Sequence, residues 1–454
     1  MELFDVIAKY ARTAPDNIAF TDGHNSISYS RMWRLINANR QYLAAKGIHN
    51  QAVAYKVESQ FDFAVDLLCL WAAGCWVLPI PPDVSEDMYG NLLTAHGISL
   101  FIASSCLSGH AVDWPREPFF QDTHACGIYH LTSGSTAAPK LCVRSLASLG
   151  EEGAAYRQLL RLQGTKIISL SPIYHSFAFG AAYMAALASG SAVYLVDKFI
   201  PRKAADIIGT WRAGVIIAVP VMIKAVSDVS LLKTYDFSDL SVALVGAGTV
   251  PAQTRAAFKK RFGIFVSSNY GSTETGGLTS RLTENPADSI GKEMEGVEIK
   301  LVNPDGGAAD EGEAFVKCKY MMSAYLGEGT RAFDTEGYFP TGDIMTKDDR
   351  GFYYVKGRIK NVINIGGKKV NPGEVEDALL RHPQISDCMV CRAIRTDGRE
   401  AVKAVVVGKG LDETSIRAYL SHVLAGYKIP SQIEFTDKIR RNALGKLVRY
   451  SHRT

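Results

Sequence analysis

The chain lacks a surplus of either charge: 50 lysines and arginines stand against 46 acids, a net charge of +4 over 454 residues. That balance leaves no electrostatic footprint for nucleic acid or for a membrane surface, so neither is expected as a partner. A long apolar run is missing too. The longest, Leu67 to Ile80, is 14 residues and stops at Pro81-Pro82. A membrane span needs about 20 residues, so this run predicts a buried helix leading into a strand. The first 17 residues mix acids with bases and hold no apolar core ahead of a small-residue cleavage pattern, so no secretory signal is expected. Cysteines are few and scattered, 8 in all, which suits a reducing cytoplasm, the expected location. Cys388 and Cys391 form one C-x-x-C, but no second pair completes a zinc site, and they read as apolar strand residues.

What is present is enough apolar residue, 47%, to build two or three domains with real cores. Phe4, Ile7, Ala8 and Ala11 fall on one helical face. Ile18–Phe20 and Ile27–Tyr29 read as short strands around a turn, and Ser30 opens a second helix, an α/β start.

The first stretch with chemical character is Ile128 to Lys140. Ile128 to Leu131 has strand character, and Thr132, Ser133, Gly134, Ser135 and Thr136 can then turn successive N–H groups and hydroxyls toward one anion, with Lys140 as a point charge. Taken alone, the window also fits a Ser/Gly surface turn. It is not a Walker loop, because its Lys does not follow the second Gly directly.

Another absence disposes of a dinucleotide fold. Val242–Val245 reads as a strand and Gly246, Ala247, Gly248 as the start of a nucleotide fingerprint, but Pro251 stands at the third glycine position. Val266-Ser267-Ser268 stands where an acid would have to hold a ribose. Further on, Ser268 to Gly276 offers Tyr270 as a flat face for a purine, the Thr273 hydroxyl for an α-phosphate and Glu274 as a hard oxygen for Mg²⁺. A polar loop before a strand is the plainer alternative. In Thr341-Gly342-Asp343, a carboxylate just past a tight turn can accept both hydroxyls of a ribose.

In order and composition these motifs resemble those of the adenylate-forming (AMP-binding) superfamily: acyl- and aryl-CoA synthetases, peptide-synthetase adenylation domains and luciferases. The resemblance runs from Ile128 to Arg449, and Tyr270-Gly271-Ser272-Thr273-Glu274 is close to letter for letter. One departure is Ala137-Ala138, where the family usually has Gly after the last Thr of the loop.

The resemblance implies an α/β fold with a large multi-subdomain N-terminal domain, residues 1–359. A small mobile α+β C-terminal domain, 360–454, would turn about a hinge at Lys360. It implies that Gly246, Ala247, Gly248, Asn269, Tyr270, Gly271, Asp343 and Arg358 bind nucleotide beside the loop at 132–136 and Lys140. His175 would lie near the bound carboxylate, although a lone His among aromatics also suits a core residue. Phe177, Phe179 and Gly276 would line the acid pocket. Thr273, Glu274 and Lys446 would be catalytic, with Glu274 holding the metal; by itself the segment around Lys446 also reads as a solvated basic tail.

The implied reaction is ATP-dependent, Mg²⁺-assisted conversion of a carboxylic acid to an acyl-adenylate, then transfer to the thiol of CoA or of a carrier protein's phosphopantetheine. Amino-acid-activating members of the family commonly place an Asp in the wall segment. Residues 171–179 contain no acid, so a fatty, aryl or other acid without an α-amine is expected. A stand-alone adenylation domain loading a carrier protein, and a non-catalytic nucleotide-binding regulator, are the alternatives.

Overall fold

The structure, a computed structural model, describes residues 3–102, 126–132, 140–231, 233–395 and 397–439. It divides into two compact units. The first comprises 1–287, 291–298 and 317–339; the second comprises 288–290, 299–316 and 340–454. The second unit therefore takes in residues 340–359 as well as everything after the expected joint at Lys360.

The first unit is built on two sheets. The larger has nine strands in the order Lys292–Glu293, Gly276–Arg281, Val266–Ser272, Val242–Val245, Val215–Ala218, Lys166–Ser169, Ala192–Leu195, Ile18–Thr21 and Ser26–Ser28. From Val266–Ser272 through Ile18–Thr21 the pairings are parallel, and antiparallel strands close both edges. Parallel strands are covered on both faces, which is why Val215–Ala218 is apolar and buried at every position. The second sheet has six strands, in the order Ala324–Tyr325, Leu141–Ser145, Gly127–Leu131, Trp76–Ile80, Ala52–Lys56 and Leu100–Ile102.

The apolar run at Leu67 forms the end of helix Gln60–Ala72 and the strand Trp76–Ile80, as its length predicts. That helix is apolar on nearly all sides because it lies in the core. Trp71 is fully buried, edge-on to Phe179, and its indole N–H donates to Gly127 O at 2.8 Å. Tyr29, read as the end of a strand, instead opens the helix Tyr29–Ala45, because the Ser28 hydroxyl accepts the Arg31 N–H and caps it.

The second unit holds a four-stranded sheet, a hairpin Ile363–Ile365/Lys368–Val370, and a three-stranded sheet of Ile385–Ile394, Glu400–Gly408 and Gln432–Phe435. Helix Pro372–Leu380 starts as its sequence predicts. Asn371 is the cap, its side chain accepting Gly373 N–H at 3.0 Å, and Pro372 takes the first helical position. Cys388 and Cys391 are buried within one strand, and neither is in a disulfide. Lys360 lies in the single 3-10 turn Ile359–Asn361 that joins the four-stranded sheet to the hairpin. Among the described residues no helix is long and apolar enough to cross a membrane.

One buried acid on helix Gln60–Ala72 makes the first unit pH-sensitive. Asp66 accepts from the Tyr55 hydroxyl at 2.8 Å, and burial pushes its carboxyl up to about 7 despite that bond. A carboxyl raised in the folded state gives its full stability below its unfolded value, near 3.8, and loses it as pH rises to about 7. The midpoint of thermal unfolding should accordingly fall across that window, and Asp66→Asn should flatten the fall. Parallel pH profiles for the variant and the unmodified protein would contradict this assignment.

Candidate active site

In open sheets with parallel strands, ligand-binding loops gather at the strands' carboxyl ends. The sequence motifs of the first unit emerge there. Residues 171–177 follow Lys166–Ser169, Gly246 to Pro251 follow Val242–Val245, and Thr273 to Thr275 follow Val266–Ser272. Two contacts tie these loops together. Thr273 Oγ1 lies 3.3 Å from Ser176 Oγ, and a Cβ on Gly246 would come within 2.9 Å of the Phe177 ring. Gly246 is thus glycine because an aromatic ring rests against its backbone. Of the three residues 246–248, Ala247 takes the left-handed conformation, at φ 63°. A non-glycine residue held there marks a loop constrained by its surroundings.

The turn carrying Glu274 is held on both sides. Met322 N–H donates to Glu274 O at 2.7 Å, and the Tyr325 hydroxyl donates to Glu274 Oε1 at 2.9 Å. Burial first, then the Glu274 charge, pushes the Tyr325 hydroxyl up, so it stays a donor. Lys140 Nζ sits 4.6 Å over the Tyr325 ring and 2.9 Å from the Glu328 carboxylate. Lys140, Tyr325 and Glu274 thereby form one chain from the foot of the first loop to the turn. Both members of the Lys140–Glu328 pair are nearly half exposed, so their attraction is weak and the ammonium can be redirected to another anion.

Thr132 closes the neck of that loop. Its N–H donates to Lys140 O at 2.8 Å, and its hydroxyl accepts Lys140 N–H at 3.0 Å. Ser133, Gly134, Ser135 and Thr136 lie outside the described residues, as do Ala137-Ala138 and Lys446.

The remaining expected residues of this unit have definite places. Asn269 is buried, accepting from the Tyr156 hydroxyl at 2.9 Å and donating to Thr279 O at 3.1 Å, so its side chain braces the sheet. Tyr270 is half-buried beside an irregularity in strand register at Gly271. Gly271 is exposed, and a Cβ on it would meet Gly276 O at 2.0 Å. His175 is half-buried, its ring 4.6 Å from that of Tyr174. Phe179 lies fully buried against Trp71, His130 and Tyr183. Gly276 has φ 68° and faces the Glu152 carboxylate.

In the second unit, Asp343 and Arg358 are direct partners across an antiparallel pair of strands. The guanidinium grips the carboxylate with two bonds, Nε to Oδ1 at 2.7 Å and Nη2 to Oδ2 at 3.3 Å. Asp343 is buried while Arg358 is mostly exposed, so the charged fork covers the carboxylate from the solvent side. Gly342, at φ 71°, donates its N–H to Glu313 Oε1 at 3.1 Å, and the Thr341 hydroxyl bonds Ala314 O at 2.9 Å.

Comparison with known proteins identifies the family. Residues 111–326 match the AMP-binding enzyme family and residues 374–446 match its C-terminal domain. The chain belongs to the AMP-binding enzyme superfamily. Among curated AMP-binding relatives it is 27% identical over 480 aligned positions to a feruloyl-CoA synthase of Amycolatopsis, covering 97% of this chain and 96% of that protein. It is 27% identical over 361 positions to a long-chain-fatty-acid–CoA ligase of Bacillus subtilis, covering 76% and 64%. Among solved structures, o-succinylbenzoate coenzyme A synthetase from Bacillus subtilis, in complex with ATP and magnesium ion, superposes with a TM-score of 0.86 at 21% identity. That match covers 98% of each chain. The adenylate-forming fold is thereby established for this AMP-binding chain.

Tyr325, Glu328, Ser176 and Glu152 escape a reading of the sequence. Tyr325 lies 51 positions from the carboxylate it meets, in a stretch with no motif of its own.

The two motif glycines with positive φ provide a test of this packing. Gly342→Ala meets no atom within 4 Å and should cost only the left-handed strain, about 1–2 kcal/mol. In Gly276→Ala the new Cβ lies 2.6 Å from Glu152 Oε1, and overpacking should add about 1–3 kcal/mol to the same strain. Equal losses for the two variants in urea unfolding would rule out the close approach of Glu152.

Proposed function

We propose that this protein is an acid–thiol ligase, activating a carboxylic acid with ATP and passing the acyl group to CoA. The observation that carries the reading is the chain Lys140–Tyr325–Glu274, which sets a cation and a carboxylate beside strand-end loops of an AMP-binding fold. In the first half-reaction a carboxylate oxygen of the acid attacks the α-phosphorus of ATP and pyrophosphate leaves. In the second, the thiol sulfur attacks the acyl carbonyl and AMP leaves. The nucleophiles come from the substrates, so the protein's task is positioning and charge stabilisation.

Residues 132–136 and Lys140 hold the leaving phosphates, and Thr273 hydrogen-bonds the α-phosphate. Tyr270 stacks on the purine beside Gly246–Gly248, and Asp343 with Arg358 holds the ribose. His175 orients the acid's carboxylate, Phe177 and Gly276 line its pocket, and Lys446 meets the negative charge that develops at the α-phosphate; Phe179, buried on Trp71, backs that wall from the core. Glu274 would hold Mg²⁺, which would supply positive charge to offset that of the phosphates. The donor set fits that ion. The Glu274 carboxylate is a hard oxygen donor on a strand-end turn, and Mg²⁺ is typically held by one or two carboxylates plus substrate phosphates.

The acid without an α-amine remains the favoured class, since residues 171–179 carry no carboxylate to meet an ammonium. A carrier-protein pantetheine in place of CoA is the finer alternative for the acceptor. ATP–pyrophosphate exchange over a panel of acids tests the activation step, and CoA-thioester formation tests the acceptor. Glu274→Gln keeps the shape but removes the charge, so exchange should drop by at least about 100-fold at limiting Mg²⁺, roughly 2.7 kcal/mol. Undiminished exchange would remove Glu274 from the metal site.

The two half-reactions should also be separable by mutation about the 3-10 turn at Lys360. Replacing Lys360 with Pro fixes φ near roughly −65° and removes an N–H. If the C-terminal domain turns there between steps, Lys360→Pro should depress thiol transfer far more than exchange, and Lys360→Ala should be mild. Lys446→Ala should do the reverse, abolishing exchange while thioester formation from supplied acyl-adenylate persists. A matched fall of both rates in Lys360→Pro would show an ordinary linker.

A further inference from the structure

Behind the wall segment and the Thr273–Gly276 turn stands a layer of buried polar side chains that none of the steps above uses. Arg144 and Glu152 are both fully buried and bonded at 2.8 Å. The Glu152 carboxylate occupies space that two glycines leave open. A Cβ on Gly180 would lie 2.5 Å from it and one on Gly276 2.6 Å, while Glu152 Oε1 accepts Gly277 N–H at 3.2 Å. A Cβ on Gly277 would meet the Tyr156 hydroxyl at 2.3 Å. The backbone at Gly180, Gly276 and Gly277 therefore lies directly against a carboxylate and a phenol, and the guanidinium of Arg144 is bonded to that carboxylate.

His130 belongs to the same layer. Its buried ring meets Phe179 edge-on at 5.0 Å, and the charge of Arg144 bears on it from the neighbouring strand. Burial, reinforced by Arg144, pushes the imidazole well below its ordinary value, so it is neutral and offers one donor and one acceptor. Among the described residues, Arg144 Nε and Nη1 and both His130 nitrogens have no hydrogen-bond partner. Four such atoms in one buried place are costly unless something polar meets them.

We propose that Arg144 and His130, with Glu152 behind them, form a polar end to the acid pocket, and that the acid carries an uncharged hydroxyl or carbonyl at the end remote from its reacting carboxylate. The inference rests on the reading above that His175, Phe177 and Gly276 line that pocket. A saturated tail would leave the four atoms unpaired. A second carboxylate is disfavoured as well, because Glu152 already offsets the Arg144 charge and another anion would leave a net buried negative charge. A hydroxyl or carbonyl accepts from the guanidinium or the imidazole and adds no charge.

The test is ATP–pyrophosphate exchange with 3-phenylpropanoates bearing a 4-methyl, 4-hydroxyl or 4-carboxyl group, together with heptanoate and 6-oxoheptanoate. In the unmodified protein, kcat/KM should favour 4-hydroxyl over 4-methyl, and oxo over alkyl, by at least about tenfold, with the 4-carboxyl acid below the 4-hydroxyl one. His130→Leu should narrow those ratios mainly through KM. Arg144→Met would strand Glu152 and endanger the fold, so the acid series on the unmodified protein and on His130→Leu decides the matter, with unfolding midpoints measured alongside. Equal or better use of the methyl and alkyl acids overturns the polar end alone. Ratios that survive intact in folded His130→Leu remove His130 and overturn the proposal as stated. Exchange with none of the acids overturns the activation reading, and this inference with it.

Discussion

The buried pair Arg144–Glu152 is the contact on which the geometry of the first unit turns. Arg144 comes from the strand after the first loop and Glu152 from the helix that follows it, and together they reach two other segments. Glu152 holds Gly277 N–H, and Arg144 Nη2 donates to Tyr320 O at 2.6 Å. The Tyr320 hydroxyl returns to Gly277 O at 2.8 Å. Two residues further along, Met322 N–H pins Glu274 O. One ion pair thus fixes the strand, helix, turn and connecting segment that carry the cation and the carboxylate of the site. Removing one partner from such a pair is costly, typically about 3–5 kcal/mol, because the other charge stays buried without compensation.

Around that fixed centre the charges with chemical work are less constrained. Lys140 shares its charge with a surface carboxylate and an aromatic face, neither of which binds it tightly in water. The Glu274 carboxylate accepts from a phenol that burial holds protonated. Asp343 is held in the second unit by an exposed guanidinium. A rigid buried frame with loosely held charges suits the proposed function, in which phosphates are first taken up and then released.

The glycines follow the same logic. Gly180, Gly276 and Gly277 admit a carboxylate and a phenol to within contact of the backbone, and Gly246 admits the Phe177 ring. Each removes a side chain so that another, from far along the chain, can take its place. In three of these four cases the incoming group is polar or charged, which gives the wall of the site a character that its own apolar letters do not announce.

By itself the sequence determined the family, the α/β class, the helix capped by Asn371 and the buried course of residues 67–80. These rest on local physics: period, caps, turn residues and motifs whose members are close in the chain. It also showed which motif residues to look for at the strand ends. What only the tertiary structure decided is how those residues are held. The Tyr325–Glu274 bond spans 51 positions, Lys140–Glu328 spans 188 and Arg144–Tyr320 spans 176. Asn269 reads as a nucleotide contact in a polar motif, yet its amide is committed to Tyr156 and Thr279, and Phe179 reads as pocket lining yet packs on Trp71. No pattern within a window can signal such contacts, because they exist only once two sheets and their helices have closed on one another and removed the groups from water.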